Sequence, residues 1–469
     1  MITFEKARPS GGPVMADTIR GPLRMLPGEG GPPVPFYVVP FDKAGSCTGP
    51  RTRDHLLGAA ADATDVFLFS HGWNSEWAGT IRKYERFVEH FRTARRNHWN
   101  PPDRDYRPVL AGIFWPSAAL VAEGDRGPDI AADGAVADPE ARPDELTELD
   151  VVADAFAGAP PARLYELAEQ DTLTGGEARE LAEILAPVLA GGDDEIGGEA
   201  GSVSADDLLE IWSRLPAGAP DVGSAGTAPA DPGGFIDDAP DPAAASSRPA
   251  TAGLLDALNP RNVIRTATVL LMKDRAGKVG GHGVADLLRG LLAASATSRV
   301  HLVGHSYGCK VVLSALANGQ APVRDVESVL LLQPATSALC FARDVEGGRP
   351  GGYRVALERT RQPIVTTFSR HDVPLTKLFH LAARRASDLG EAVIAGEAPS
   401  KFAALGGFGP QGVTGETATV TARSAPDRYD LAARPERRIV AVRADDVIPD
   451  HGSVESHATA WALLCQTMS

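Results

Sequence analysis

Apolar runs of strand length alternate with segments of helical spacing at both ends of the chain. "PFYVVPFD" (residues 35–42), "DVFLFS" (65–70) and "VLAGIFWP" (109–116) are nearly continuous hydrophobic runs, as expected for strands covered on both faces of a parallel sheet. "RTRDHLLGAAA" falls between the first two as a helix. After the second, Ile81, Tyr84, Phe87, Val88 and Phe91 recur at helical spacing. The rhythm resumes near Asn259 with "NVIRTATVLLMKDRAGKVGGHGVADLLRGLLAA", helical material that the Gly280–Gly283 region should break. "RVHLVGHS" then predicts a strand and "YGCKVVLSALAN" a helix. "SVLLLQP" (328–334), "PIVTTFSRHD" (363–372) and "RRIVAVRADD" (437–446) are three further strands, each ending in polar or turn residues. Strand and helix in alternation predict an α/β fold: a mostly parallel central sheet with helices on both faces. No internal repeat interrupts it, and residues up to about Leu26 show little periodicity.

A different composition separates the two α/β stretches. Between Val121 and Ala250 there are 29 Asp/Glu against 6 Lys/Arg, although the whole chain carries a net charge of only −15. The remainder is therefore net basic, which marks a boundary. The acidic stretch contains three helix candidates, "PARLYELAEQ", "GEARELAEILAPVLA" and "SADDLLEIWSRL", the last with Ser204 as N-cap. "GGDDEIGGEAGS" and the Pro/Ala/Gly run from Pro216 to Ala250 read as flexible. The organisation is then an N-terminal extension (1–34), a first core part (35–117), an acidic Ala/Gly/Pro-rich insertion serving as cap or lid and partly flexible (118–258), and a second core part (259–469).

Composition narrows the class. Hydrophobic residues at 43% and charged residues at 23% suit a water-soluble protein with a sizeable core. No apolar stretch reaches the roughly 18 residues that a bilayer span requires. The first residues, "MITFEKARPSGGP", place Glu5 before any apolar run and do not read as a signal peptide. The net negative charge argues against nucleic acid and anionic membranes as partners. Cys47, Cys309, Cys340 and Cys465 are scattered without metal-like pairing, so reduced thiols, a cytoplasmic location and no metal or other cofactor are expected.

The chemistry centres on "HLVGHSYG". Gly304 and Gly308 flank Ser306 two residues away on each side, between a predicted strand and a predicted helix. A serine held on so sharp a reversal needs neighbours without side chains, and the helix that follows aims its first amides at the serine oxygen. The competing reading is a strand-to-helix turn in which Ser306 caps the helix. A serine hydroxyl is a weak nucleophile without a base, and the base needs an orienting carboxylate. Downstream, Asp372 follows one strand and His451 the last one. Asp344, Asp445 and Asp446 are alternatives for the acid. His457, at the start of the C-terminal helix, competes with His451 for the base. His301 and His305 read as structural. An anionic intermediate needs two amide donors. Tyr307 N–H is one, and the loop "FSHGWN" offers Trp73 N–H beside Gly72, which permits close approach.

"FLFSHGWN", "HLVGHSYG", "RHD" after a strand, and "DHGSVESHATAWALL" resemble the α/β-hydrolase superfamily, in particular bacterial serine hydrolases of the esterase and lipase type. The resemblance covers residues 35–117 and 259–469. It implies the α/β-hydrolase fold, Ser306 as nucleophile, Asp372 as orienting acid, His451 as base, and Trp73 and Tyr307 as oxyanion donors. It also implies hydrolysis through an acyl-enzyme. The insertion, about 140 residues long, departs from an ordinary strand-to-helix connection, so the resemblance says little of substrate.

The expected activity is hydrolysis of a small-molecule carboxylic ester without a cofactor. Amide or thioester hydrolysis and acyl transfer use the same residues. A lid rich in Asp and Glu repels anionic head groups, which points away from phospholipids. From another class comes a non-catalytic interaction protein whose acidic insertion recruits a protein partner.

Overall fold

The apolar runs need partners on both sides, and the sheet supplies them. A computed structural model of the chain describes residues 21–28, 33–73, 75, 77–99, 106–117, 144–189, 204–213, 259–345, 348–378, 403–434 and 436–469. In chain order the strands are β1 (Arg24–Leu26), β2 (Val34–Pro40), β3 (Asp65–Ser70), β4 (Pro108–Phe114), β5 (Arg299–His305), β6 (Ser328–Leu332), β7 (Ile364–Phe368), β8 (Thr417–Thr421) and β9 (Ile439–Arg443). They lie side by side as β1-β2-β4-β3-β5-β6-β7-β9-β8. Every neighbouring pair is parallel except β1 with β2.

The helices are α1 (Pro50–Ala61), α2 (Trp77–His98), α3 (Asp144–Ala153), α4 (Ala162–Ala168), α5 (Gly175–Leu189), α6 (Ala205–Ser213), α7 (Pro260–Val279), α8 (Ala285–Ala294), α9 (Tyr307–Ala317), α10 (Leu405–Phe408) and α11 (His457–Met468). They cover both faces. Residues of α1, α7, α8 and α9 share one buried cluster with Val39, Leu68, Leu302 and Leu331. Residues of α2 and α11 share the other with Phe67, Leu110, Val303 and Leu330. Alternate residues of each strand thus feed opposite layers, which is why the strands read as unbroken apolar runs.

The glycines at 280–283 do not break the helix. The chain continues from α7 through a π-turn (Gly280–Val284) directly into α8. The glycines serve close packing instead. A side chain on Gly280 would come within 2.3 Å of the Val311 carbonyl on α9, and one on Gly283 within 2.0 Å of the Gly45 carbonyl. Both edge strands were also absent from the sequence pattern. β1 is mostly exposed, and β8 exposes or half-exposes all five of its residues, so neither carries an apolar run.

Within the acidic insertion, α4, α5 and α6 match the three helix candidates. Ser204 accepts a hydrogen bond from Asp207 N–H while the Asp207 carboxylate takes the Ser204 N–H, a reciprocal cap. Thr174 and Glu177 do the same for α5. Leu167, Leu181, Leu208 and Trp212 bury themselves with Val263 and Ile264 on the first turns of α7. Farther along α7, Tyr307 OH donates to the Val269 carbonyl, and Arg275 donates to the Pro116 carbonyl just past β4. The helical part of the insertion is therefore anchored on the first turns of α7. The segments expected to be flexible, residues 191–202 and 216–250, lie outside the described residues.

Candidate functional site

Gly304, Gly308 and Gly72 allow three backbones to converge at the end of β5. A Cβ on Gly304 would meet Cys309 N at 2.7 Å, and one on Gly308 the Ser70 carbonyl at 2.2 Å. One on Gly72 would meet the Ser306 Cβ at 2.7 Å. Ser306 sits at this crossing with φ 54° and ψ −125°, in the left-handed region that a non-glycine residue avoids. Its backbone is fixed at both ends: Ser306 N–H donates to Leu332 O, and its carbonyl accepts from Cys309 N–H.

The hydroxyl does not cap α9. It takes no hydrogen bond from the helix amides, whereas Ser456 at the head of α11 does so in a full capping box. Ser306 Oγ lies 2.8 Å from His451 Nε2 instead. On the far side of the imidazole, Nδ1 lies 2.7 Å from Asp372 Oδ2. Ser306 is 3% exposed and Asp372 fully buried, and the His451 side chain retains 23% exposure. The side chains come from three places: the β5–α9 turn, the loop after β7, and the loop after β9.

Each place has its own support. Asp450 Oδ1 accepts from Gly452 N–H and Ser453 N–H, turning the chain around His451. His305 Nε2–H donates to the His451 carbonyl at 2.9 Å. Burial holds the His305 imidazole well below the ordinary histidine range, aided by the charges of His451 and Lys83. Asp372 Oδ1 accepts from Leu375 N–H, and Oδ2 accepts from Gln333 Nε2–H at 3.0 Å.

The loop after β3 is equally fixed. His71 is buried, and burial drives its pKa down to about 3. Its neutral ring donates from Nδ1 to Gly72 O at 2.8 Å and accepts at Nε2 from Trp115 N–H at 3.2 Å. Tyr84 on α2 ties this turn to the sheet by accepting from His71 N–H and donating to Ile113 O. Trp73, next in the chain, places its ring 6.4 Å from that of Tyr307. Of the residues expected to supply amide donors, Tyr307 follows Ser306 at the head of α9, and the loop that carries Trp73 meets Ser306 at Gly72.

The alternatives stand elsewhere. Asp445 is engaged by Arg370, accepting its backbone N–H at 2.9 Å. Asp344 accepts from Gly348 N–H, and Asp446 is surface-facing. His457 packs against His90 between α11 and α2, with ring centroids 4.4 Å apart and the rings tilted. His301 lies inside the sheet between Asp65 and Ser328. Sequence reading missed Gln333, whose only signal is a polar residue ending the apolar run "SVLLLQ", and the structural part of His71.

Among the described residues no group of three or more His, Cys, Asp or Glu side chains gathers as a metal site, and no helix is long and apolar enough to cross a membrane. None of the four cysteines, all described, is in a disulfide. Comparison with protein-family models, curated proteins and solved structures finds no match.

Proposed function

We propose that the chain is a serine hydrolase of the α/β-hydrolase fold that cleaves a carboxylic ester through an acyl-enzyme. One observation carries the reading: a buried serine, strained at φ 54°, caps no helix and lies 2.8 Å from an imidazole that reaches a buried carboxylate. Strain of this kind costs on the order of 1–3 kcal/mol and persists where the surroundings over-determine it. A turn that served only to connect β5 to α9 has no use for it.

In the first step Ser306 Oγ attacks the acyl carbon while His451 Nε2 takes its proton. The imidazolium is stabilised by Asp372 at Nδ1. Negative charge collects on the former carbonyl oxygen, where Tyr307 N–H and Trp73 N–H donate and the α9 dipole favours it. His451 returns the proton to the leaving alcohol, and the acyl group stays on Ser306. Water then attacks the acyl carbon while His451 takes its proton, and His451 gives that proton to Ser306 Oγ as the acid is released. Thioester and amide cleavage, or transfer to an acceptor other than water, follow the same steps. The helices α3–α6, held on the first turns of α7, form a cap over this region and supply substrate contacts.

The test is labelling with a fluorophosphonate, which reacts with an activated serine. Wild type labels and Ser306→Ala does not; equal labelling of the two removes the proposal. A panel of p-nitrophenyl esters from short to long acyl chains then defines the acyl preference.

A further inference from the structure

Gln333 follows β6 directly, in an unusual state. It is fully buried, and at φ 43° it is, with Ser306, one of two non-glycine residues among those described with a positive φ. Most residues avoid this region, and glutamine has no local hydrogen bond that favours it. Its side chain is nonetheless completely engaged. Nε2–H donates to Asp372 Oδ2 at 3.0 Å and to Gly406 O at 3.2 Å. Oε1 accepts from Thr367 Oγ1–H at 3.0 Å, and the Thr367 hydroxyl oxygen accepts Gln333 N–H at 2.9 Å.

This ring of bonds fixes the amide in one orientation. Thr367, whose proton goes to Oε1, leaves the NH2 end facing the carboxylate. The backbone strain is what carries the amide there, since residue 333 stands immediately before the turn to Pro334 whose carbonyl accepts Gly406 N–H. Asp372 Oδ2 thus receives two donors, Gln333 and His451, while Oδ1 receives Leu375 N–H.

We infer that Gln333 is a positioning residue for the proposed reaction: it orients the Asp372 carboxylate so that Oδ2 faces His451 Nδ1. The inference rests on reading Ser306 as the nucleophile. A donor on one oxygen of a buried carboxylate fixes the plane of the group. Removing that donor lets the carboxylate rotate, so that Oδ2 no longer faces Nδ1 and its hold on the protonated ring weakens. The other ionisable groups nearby are His305 against the His451 carbonyl, Arg370 and His371 beside Asp372 in the chain, and Asp445 on Arg370.

The experiment uses Gln333→Leu, which keeps the bulk without the amide, and Gln333→Gly, which relaxes φ and also lacks the amide. Gln333→Glu replaces the donor with a second carboxylate. Fluorophosphonate labelling is followed against pH, and the low-field proton resonance of His451 Nδ1–H is recorded in parallel. The expected result is a labelling rate reduced about tenfold in Leu and Gly and further in Glu, the acidic limb of the Leu profile moved downward, and a shifted or lost resonance. Gln333→Gly keeps the experiment decisive if the Leu protein does not fold. Wild-type rate, profile and resonance in either amide-free variant overturn the inference. If wild type itself fails to label, the proposed function falls, and the resonance alone then decides whether Gln333 orients Asp372.

Discussion

Among the described residues, two linked sets of serine, histidine and aspartate stand out, and the proposed function uses only one. Ser306, His451 and Asp372 meet at the carboxyl ends of the strands. Ser328, His301 and Asp65 meet inside the sheet, on β6, β5 and β3. There His301 Nδ1 lies 2.8 Å from Ser328 Oγ, and Nε2 3.1 Å from Asp65 Oδ1. The distances are alike, so hydrogen bonding does not distinguish the sets. Backbone and access do. Ser328 lies on a strand directly opposite His301 in the ladder, and all three residues are completely buried. The His301 ring lies flat on Phe67 at 4.7 Å with the opposite nitrogen toward the acid. Ser306 stands on a reversal, before a helix N-terminus, with a partly exposed base. What sets the proposed nucleophile apart is its placement at a strained turn, while the same three side chains on straight strands make a polar clamp.

The largest separation of the two sets comes from their centres. Ser306→Ala should lower ester hydrolysis by about 10⁴-fold or more and leave the thermal midpoint nearly unchanged, read from initial rates and calorimetry on one preparation. His301→Leu should do the converse. It leaves Asp65 buried with Thr64 and the Arg299 guanidinium but without the imidazole bond, and losing a hydrogen bond to a buried charged group costs about 1.5–3 kcal/mol. Chemical denaturation should show that loss, while the folded fraction keeps its labelling rate. A His301→Leu protein that is stable and inactive would reverse the assignment of the two sets.

Acid should affect the two regions in different windows. His71, beside the proposed site, titrates at about 3 when folded against 6.5 when free. The unfolded chain therefore binds the extra proton first. Stability falls as pH drops below 6.5, by at most about 1.4 kcal/mol per pH unit for this group, and levels off near 3. His305, also lowered by burial, adds in the same direction. For Asp65, burial pushes upward, but the hydrogen bond from His301 and the charges of His301 and Arg299 outweigh it and hold the carboxyl below 3.8. Its contribution is present above 3.8 and is lost only as pH falls beneath that value. Urea midpoints at pH 7, 5 and 4 should decline steadily for wild type and less steeply for His71→Asn. A flat series for both would contradict the neutral, buried His71.

The elbow could be read from sequence because its geometry demands particular residues at fixed spacing: glycines 304 and 308 are the ones whose side chains would strike backbone. The proposed acid and base, Asp372 and His451, follow Ser306 in the expected order along the chain. Gln333 and the inner set were not legible in this way, because each member sits in an ordinary apolar run and finds its partner far away; His301 and Asp65 are 236 residues apart. Strands β2 to β7 and β9 announced themselves as continuous apolar runs, but β1 and β8 bury too little to do so. The glycines at 280–283 were misleading for a physical reason. Low helix propensity and tight helix packing call for the same residue, and only the neighbours Val311 and Gly45 distinguish them.

The smallest effect gives the finest test of the comparison. Ser328→Ala removes the same hydroxyl from the inner set that Ser306→Ala removes from the outer one. His301 Nδ1 then loses its partner in a site with no access to water, while the bond to Asp65 and the stacking on Phe67 remain. A lost neutral hydrogen bond of this kind costs about 1–3 kcal/mol, and the small cavity adds little. Ester hydrolysis should stay within about twofold of wild type, because Ser328 lies at the start of β6, one strand length below Leu332, whose carbonyl fixes Ser306 N–H. If hydrolysis drops tenfold instead, the strand that leads to Gln333 transmits the inner set to the outer one. Ser328→Thr, which restores the hydroxyl at the cost of one methyl group, should then recover it.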